Sequence, residues 1–298
     1  MNSAQFVDQS QCYLCQSTQR TPELELGTEE GELNLRWVRC DKCKLVYLDP
    51  RPSQHALSVL YDSQGYWQGD SGYKDYLSEE QWRGRQAKDR AKWFVKNLHQ
   101  RLDEKNLRVL EVGSAAGYFL EELARLDVTA RGLDTSRSMV RISDQRTNKD
   151  VSVSHGFVEE SHFPKGSFQG LAAWGCDSNF NDILTTFEKF SEWLAPNGLL
   201  TFNFHDHDHW ASILRGRFKM MPNALYFLNS QHIEKILSKF GFEIISMKTE
   251  ICWMNLAGVY HHTGHPWLRP LAQTSLARIP IRMPIPGGYR VLAQKRAD

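Results

Sequence analysis

Short apolar runs alternate along the middle of the chain with segments whose apolar positions recur at helical spacing. Residues 109–112 and 168–174 are runs typical of buried strands, and residues 118–124 and 179–194 are the helical segments that follow them. Strands that alternate with helices usually form a parallel sheet covered by helices, with ligands at the carboxyl ends of the strands. The pattern therefore predicts an α/β fold with a mostly parallel sheet and helices on both faces.

One predicted strand-to-helix junction is built from small residues. The strand breaks at Gly113, and a small-residue turn from Gly113 to Gly117 leads into a helix that begins at Tyr118. Glycine and alanine let the backbone approach a ligand closely, and the start of a helix presents free N–H groups. About 20 residues further on, a second predicted strand ends in Asp134, a position from which such folds bind ribose hydroxyls. These features favour a cofactor site over an ordinary turn.

The details of this junction indicate which cofactor it suits. Gly113 and Gly117 are spaced Gly-x-x-x-Gly, which differs from the dinucleotide fingerprint Gly-x-Gly-x-x-Gly. Glu111 suits a ligand with an ammonium or sulfonium group, because opposite charges attract at short range in a partly dry cleft. Residues 109–120, with 132–136, resemble the first two motifs of the class I S-adenosylmethionine (SAM) methyltransferases. Ala115 replaces a glycine that is usual in the first motif.

The resemblance implies a Rossmann-like domain that binds SAM, and it assigns residues to the cofactor. Family members commonly carry an acid after the third strand that binds the adenine amino group, whereas this chain has Phe157 there. We expect apolar contact and backbone atoms to hold the adenine, with Glu159 or Glu160 as the alternative. The predicted cofactor-binding residues are Glu111, Gly113, Ser114, Ala115, Gly117, Asp134, Thr135, Phe157, Val158 and Trp174.

Four of the six cysteines form two Cys-x-x-Cys pairs near the N-terminus. The pairs are Cys12 with Cys15 and Cys40 with Cys43. Each pair can place two thiolates on one turn, and two such turns complete a tetrahedral zinc site. Because all four positions are then filled by protein, we expect a structural zinc ion. The alternatives are two disulfides, disfavoured without an export signal, and a redox pair, which would not occur twice.

The order of the segments along the chain extends the resemblance. The stretch 45–53 follows the cysteine pairs, and Ser53 is expected to cap a helix through Tyr61. The cysteine pairs, this stretch, an aromatic helical connector and a SAM domain together resemble bacterial methyltransferases of the sugar and secondary-metabolite type. We predict four parts: a zinc ribbon (1–50), a helical connector or lid (51–106), the SAM-binding Rossmann-like domain (107–205), and a substrate-side C-terminal part that completes the sheet (206–298).

Two further segments have predicted roles. Charged residues between 79 and 102, including Arg83 and Arg90, are expected to form a solvated helix face. Residues 255–285 contain several prolines and are expected to pass over the cleft before a last strand at 289–294.

Histidines follow the predicted fifth strand, 199–204, where the reacting groups would lie. Methyl transfer from a sulfonium requires the acceptor atom, carbon and sulfur in line, and it can also require removal of a proton. A histidine with a pKa near neutrality suits that step, so we expect His205 or His207 to be the catalytic base. The alternatives are a metal site formed by alternate histidines of 205–209 and a polar surface. Related enzymes carry a further histidine where this chain has Ala224, which argues against the same carbon-methylation chemistry.

Composition narrows the classes of partner. The chain has 298 residues, 41% of them apolar, and a formal net charge of +1, which disfavours a nucleic-acid partner. The first residues lack the pattern of a leader peptide, and no apolar stretch approaches the length of about 18 residues that a membrane helix needs. We therefore expect a cytoplasmic protein with a small-molecule acceptor and no membrane partner. The oligomeric state is not predicted.

These features predict a biosynthetic, SAM-dependent transfer of a methyl group to an oxygen or carbon of a small molecule. The expected acceptor is a sugar, a nucleotide sugar or a secondary-metabolite intermediate. Two alternatives remain. One is an rRNA or tRNA methyltransferase, because some of those enzymes also combine a zinc ribbon with this fold. The other is a non-catalytic partner protein with a SAM-binding fold.

Overall fold

The computed structural model describes residues 5–25, 35–69, 75–147, 151–214, 224–255, 270, 274 and 279–297. Its strands are β1 (Phe6–Val7), β2 (Arg20–Glu25), β3 (Arg36–Cys40), β4 (Val46–Asp49), β5 (Arg51–Pro52), β6 (Arg108–Val112), β7 (Thr129–Asp134), β8 (Val151–His155), β9 (Phe168–Ala173), β10 (Leu194–His205), β11 (Tyr226–Phe227), β12 (Phe242–Asn255) and β13 (Pro280–Lys295). Its helices are α1 (Gln54–Asp62), α2 (Gln64–Gln68), α3 (Glu80–Arg101), α4 (Tyr118–Ala124), α5 (Arg137–Arg146), α6 (Ile183–Trp193), α7 (Trp210–Leu214) and α8 (Ser230–Lys239), with a 3-10 turn at Val158–Glu160.

The central sheet has the order β12-β13-β10-β9-β6-β7-β8. Five strands, β10, β9, β6, β7 and β8, run parallel to one another. The strand β13 pairs antiparallel with both β10 and β12. Helices surround this sheet, and the central strands β6 and β9 are buried almost throughout. The predicted α/β class with a mostly parallel sheet is confirmed.

The antiparallel edge of the sheet is longer than the sequence pattern predicts. The strand expected at 242–249 continues to Asn255, and the strand expected at 289–294 begins at Pro280. In the described residues of β13 before Gly288, the strand pairs with β12 alone, so its other edge forms no strand pair. Proline has no backbone N–H to donate, and it is tolerated where that position faces the unpaired edge. The two strands therefore form a hairpin arm beyond the sheet, while most of the predicted 255–285 passage lies outside the described residues.

The helix predicted at 179–194 is shorter than expected. Asp182 caps α6, and its side chain accepts the backbone N–H groups of Leu184 and Thr185 at 3.0 and 3.1 Å. Because the cap fixes the first turn, residues 179–181 form a loop. That loop is available to contact a ligand.

A second sheet joins the cysteine-rich region to a distant part of the chain. Its order is β11-β4-β3-β2, and β11 pairs with β4 across almost 180 residues through Tyr226 with Tyr47 and Phe227 with Val46. The Leu48 N–H also donates to the Leu225 carbonyl oxygen at 2.9 Å. The predicted boundaries at 50 and 206 remain a prediction, but this pairing makes a C-terminal segment part of the ribbon sheet.

Three helices form the connector between the ribbon and the central sheet. Ser53 caps α1, as predicted, because its hydroxyl accepts the Ala56 N–H at 3.2 Å. The connector is divided at Ser63, which ends α1 and caps α2. The longer α3 buries a stripe along one side, formed by Gln86, Ala87, Ala91, Phe94, Val95 and Leu98. Among the described helices, none is both long and apolar enough to cross a membrane.

Substitution of Tyr226 would measure how much the packing of β11 contributes to the stability of the fold. Its side chain is fully buried, and its ring centroid lies 5.2 Å from that of Tyr13 in the ribbon. Tyr226→Ala should lower the free energy of unfolding by about 3–5 kcal/mol, the range for truncating a buried aromatic ring. Tyr226→Phe should be neutral or stabilising, because the hydroxyl contacts no hydrogen-bond partner within the described residues. Urea unfolding followed by circular dichroism measures both, and equal destabilisation by the two variants would contradict this packing.

Candidate functional site

A cleft of about 290 Å³ lies at the carboxyl ends of β6, β7 and β9. Parallel sheets of this kind bind ligands at that edge. The predicted cofactor residues that line it are Glu111, Gly113, Ser114, Ala115, Asp134, Thr135, Phe157, Val158 and Trp174. The structure therefore brings these residues together in one concave site.

Gly117 does not line the cleft, although the sequence places it in the same turn. Its backbone has φ of +77°, and a Cβ atom there would lie 2.1 Å from the Ser143 hydroxyl oxygen in α5. Glycine is needed at this position because the turn reverses sharply and α5 packs directly against it. Its observed contacts concern helix packing, and its role towards a cofactor stays a prediction.

Asp134 holds the turn after β6 in place. One carboxylate oxygen accepts the Ala115 N–H at 2.7 Å and the other accepts the Ser136 N–H at 2.8 Å. Burial raises the pKa of Asp134, while these backbone hydrogen bonds act in the opposite direction. Asp134 thus connects β7, the turn and the start of α5, in addition to facing the cleft.

Glu111 is buried in the cleft floor. Its side chain is 4% exposed, and its Oε2 atom contacts no hydrogen-bond partner among the described residues. Burial raises the pKa of Glu111 well above its ordinary value, although the positive charge of Arg90 lowers it and Asp134 raises it further. A cationic group placed beside Glu111 would favour the ionised carboxylate and satisfy it.

Aromatic rings from the connector form the outer wall. Tyr61, Tyr66, Trp67 and Tyr76 all line the cleft, and consecutive members of this series lie 5.0–5.1 Å apart between ring centroids. The Asn179 amide donates to the Tyr61 hydroxyl at 3.2 Å, so the loop before α6 is tied to this wall. The connector therefore lines the cleft, and its role as a lid stays a prediction.

The remaining wall comes from α3 and the hairpin arm. Arg90 of α3 donates to Glu250 of β12 through Nη2 at 2.8 Å and through Nε at 3.2 Å. The predicted solvated face is wrong for Arg83 and Arg90, whose side chains are only 16% and 15% exposed. Arg83 and Arg90 lie at helical spacing from Ala87 and Phe94, on the same side of α3 as the apolar stripe. This spacing is visible in the sequence and indicates that the two arginines face inward.

The two acids proposed as alternatives for adenine binding differ in position. Glu159 lines the cleft, and its carboxylate accepts the Asp182 N–H at 2.7 Å. Burial raises the pKa of Glu159, while that hydrogen bond lowers it. Glu160 is exposed and lies outside the described lining of the cleft.

The histidines lie beyond the described lining of the cleft. His205 ends β10, and the ring of the buried His207 stacks on Phe227 with 4.4 Å between centroids. Ala224 is buried in a small apolar cluster with Phe227 and residues of β3 and β4. The role of His205 or His207 as a base therefore stays a prediction, and the structure does not place either side chain against the cleft.

The four cysteines of the ribbon converge. Their sulfur atoms all lie within 4.8 Å of one another, and the Cys12–Cys43 and Cys15–Cys40 pairs are 3.5 Å apart. Zinc–sulfur bonds of about 2.3 Å in a tetrahedron require sulfur atoms roughly 3.8 Å apart, so the donor set fits zinc. Both Cys-x-x-Cys turns use the same backbone bond, from Gln16 N–H to Cys12 O and from Lys44 N–H to Cys40 O, each at 2.9 Å.

His232 connects this cluster to α8. Its Nδ1 atom accepts the Asn229 N–H at 3.2 Å, so Nε2 carries the proton and donates to the Cys43 carbonyl oxygen at 2.8 Å. The Asn229–His232 capping box of α8 is local in the sequence, whereas the contact of His232 with Cys43 joins residues 189 positions apart and leaves no local signal.

Comparison with known proteins identifies the family. The family model described as "Methyltransferase domain" matches residues 83–247. The chain belongs to this methyltransferase family. An uncharacterised protein of Methanocaldococcus jannaschii is 27% identical over 162 residues, which cover 46% of this methyltransferase chain and 62% of that protein.

Solved structures share the fold of this chain. A putative sarcosine dimethylglycine methyltransferase from Galdieria sulphuraria is 11% identical, with a TM-score of 0.52 over 70% of this chain and 86% of that one. A putative methyltransferase from Bacillus halodurans is 14% identical, with a TM-score of 0.51 over 68% and 99% of the two chains. At these identities the likeness shows the fold. The match to the methyltransferase family model, together with this fold, supports SAM as the cofactor.

Glu111→Gln should change how stability depends on pH. Because the pKa of Glu111 is raised in the folded protein, the wild type should lose stability as the pH rises above the ordinary value of 4.5. The variant should lack this loss. Without cofactor, the stability of the variant relative to the wild type should therefore increase between pH 4.5 and pH 8. Chemical denaturation at the two pH values measures this change, and a stability difference that is the same at both pH values would contradict it.

Proposed function

We propose that this methyltransferase transfers the methyl group of SAM to an oxygen or carbon of a small molecule, such as a sugar, a nucleotide sugar or a secondary-metabolite intermediate. The main support is one cleft that combines the small-residue turn, the buried Glu111 and an outer wall of aromatic rings. The two cations in its described lining, Arg83 and Arg90, each contact a glutamate. A polyanionic nucleic acid would need unpaired cations, so this lining favours a small acceptor.

The cofactor residues of this proposal are those predicted from the sequence. Glu111 would face the cofactor's ammonium group, and the turn from Gly113 to Ala115 would approach it with backbone atoms. Asp134 and Thr135 would lie towards the ribose, and Phe157 and Val158 towards the adenine. SAM supplies an activated methyl group on a sulfonium, so the protein mainly has to align the acceptor and exclude water.

Proton removal from the acceptor is proposed for His205 or His207. Because neither lines the described cleft, this role requires an acceptor that extends from the cleft towards the end of β10. In the loop after β9, the Gly175 N–H donates to the side-chain oxygen of Asn203 in β10 at 2.8 Å. This loop links the cleft to the strand that ends at His205.

The four cysteines are proposed to bind one structural zinc ion. Because protein sulfur would fill all four positions, the ion would stabilise the ribbon and would take no part in methyl transfer. We further propose that the enzyme acts in the cytoplasm in a biosynthetic pathway, without a nucleic-acid or membrane partner.

Titration calorimetry of the zinc-loaded full chain with SAM and S-adenosylhomocysteine tests the function. Glu111→Gln should weaken binding of both by about 10-fold or more, because the ammonium group loses a charge-assisted contact. Glu104→Gln is the matched control at an exposed position and should bind normally. Absence of binding by the intact protein would contradict the proposal. Binding followed by no transfer to any nucleotide sugar or hydroxylated metabolite would favour the non-catalytic alternative.

Metal analysis tests the zinc proposal. The purified chain should contain one zinc ion, and Cys40→Ser should lose it together with several degrees of thermal stability, because zinc binding contributes to folding. Cys252→Ser is the matched control, since Cys252 lies outside the cluster and should not affect zinc content. Full zinc content in the Cys40 variant would show that the metal binds elsewhere.

A further inference from the structure

We propose that Arg51 is a positioning residue that connects the cysteine-rich ribbon to the cleft, so that zinc held by the four cysteines and a ligand held in the cleft strengthen each other's binding. This inference rests on the proposed function, including its zinc site, and goes beyond it by assigning a coupling between the two sites. Arg51 lies in β5, two residues after the end of the ribbon strand β4.

The ribbon side contacts Arg51 at two points. Its Nε atom donates to the side-chain oxygen of Gln9 at 2.7 Å, and its guanidinium carbon lies 5.6 Å from the centroid of the Tyr13 ring. A guanidinium above an aromatic ring is attracted by the negative face of that ring. Tyr13 lies inside the first cysteine turn, which the hydrogen bond from the Gln16 N–H to the Cys12 carbonyl oxygen closes at 2.9 Å. The order of this turn therefore bears directly on the position of Arg51.

Tyr13 is held in place by packing. Its side chain is 8% exposed, and its ring contacts that of Tyr47 edge-to-face at 5.7 Å and that of Tyr226 at 5.2 Å between centroids. Zinc bound to Cys12 and Cys15 would also fix the backbone on both sides of Tyr13, because a tetrahedral site sets the positions of its ligands. The surface that faces the guanidinium is therefore best ordered when the metal is bound.

The other end of Arg51 reaches the lining of the cleft. Its Nη1 atom donates to the side-chain oxygen of Asn181, which lines the cleft. Asn181 precedes Asp182, the residue that caps α6 and donates its N–H to the lining residue Glu159 at 2.7 Å. One guanidinium thus spans the distance from a metal-binding turn to a wall of the cleft.

The coupling follows from the cost of ordering Arg51. An arginine side chain has many rotamers, and fixing one of them costs conformational entropy. A site that has already ordered Arg51 lowers this cost for the other site, which gives positive cooperativity without a large structural change. A coupling free energy is reciprocal, so a ligand in the cleft should raise the affinity for zinc by the factor by which zinc raises the affinity for that ligand.

The zinc dissociation constant of the full chain, measured by competition with a chelator, tests this coupling. Saturating S-adenosylhomocysteine should lower this constant by about fivefold in the wild type, the low end of typical couplings between two sites. Arg51→Met keeps a long side chain and removes both hydrogen bonds and the charge. In this variant the zinc dissociation constant should be the same with and without the ligand.

Arg39→Met is the matched control. Arg39 is another half-buried arginine of this region, and its hydrogen bonds to Glu23 and Lys44 stay within the ribbon. Whatever this change does to the affinity for zinc, the effect of S-adenosylhomocysteine on that affinity should remain. Asn181→Ala removes the Arg51 contact from the cleft side and should abolish the effect while leaving the ribbon unchanged, so it decides the question if Arg51→Met does not hold zinc.

Two results would overturn the inference: no effect of S-adenosylhomocysteine on zinc affinity in the wild type, or an undiminished effect in Arg51→Met or Asn181→Ala. A purified chain without zinc would instead contradict the proposed metal site. A zinc-loaded chain that does not bind S-adenosylhomocysteine would contradict the proposed cofactor. The three failures are therefore distinguishable.

Discussion

The shape of the cleft depends on two backbone amides that hydrogen-bond to the buried carboxylate of Asp134. One belongs to Ala115, whose φ of 44° costs roughly 1–2 kcal/mol for a residue other than glycine. A hydrogen bond to a charged acceptor contributes about 1.5–3 kcal/mol, enough to offset that strain. The second amide, from Ser136, fixes the start of α5. The acid that the sequence places at the ribose position is therefore also the group that makes an alanine acceptable in the turn.

The ribbon and the cleft are parts of one hydrogen-bonded arrangement. Leu225 receives the Leu48 N–H from the ribbon and donates its own N–H to Ser178, just beyond the cleft residue Cys176. His232 binds the carbonyl of Cys43 within the second cysteine turn. Short hydrogen bonds therefore connect the cysteine-rich ribbon to the loop that lines the cleft.

The features that could be predicted from the sequence are those that local chemistry determines. These features have a characteristic spacing along the chain, because the local backbone geometry of each site requires it. They are the turn from Gly113 to Gly117, the acid at Asp134 and the two cysteine pairs. The pairing of β11 with β4 involves two residues on each strand and no periodic pattern, so no local signal marks it. Arg90 was misassigned for a different reason. A charged residue on a helix is usually solvated. The alignment of Arg90 with the apolar stripe of α3 indicates burial, but the sequence does not reveal Glu250 of β12, the anion that makes burial acceptable.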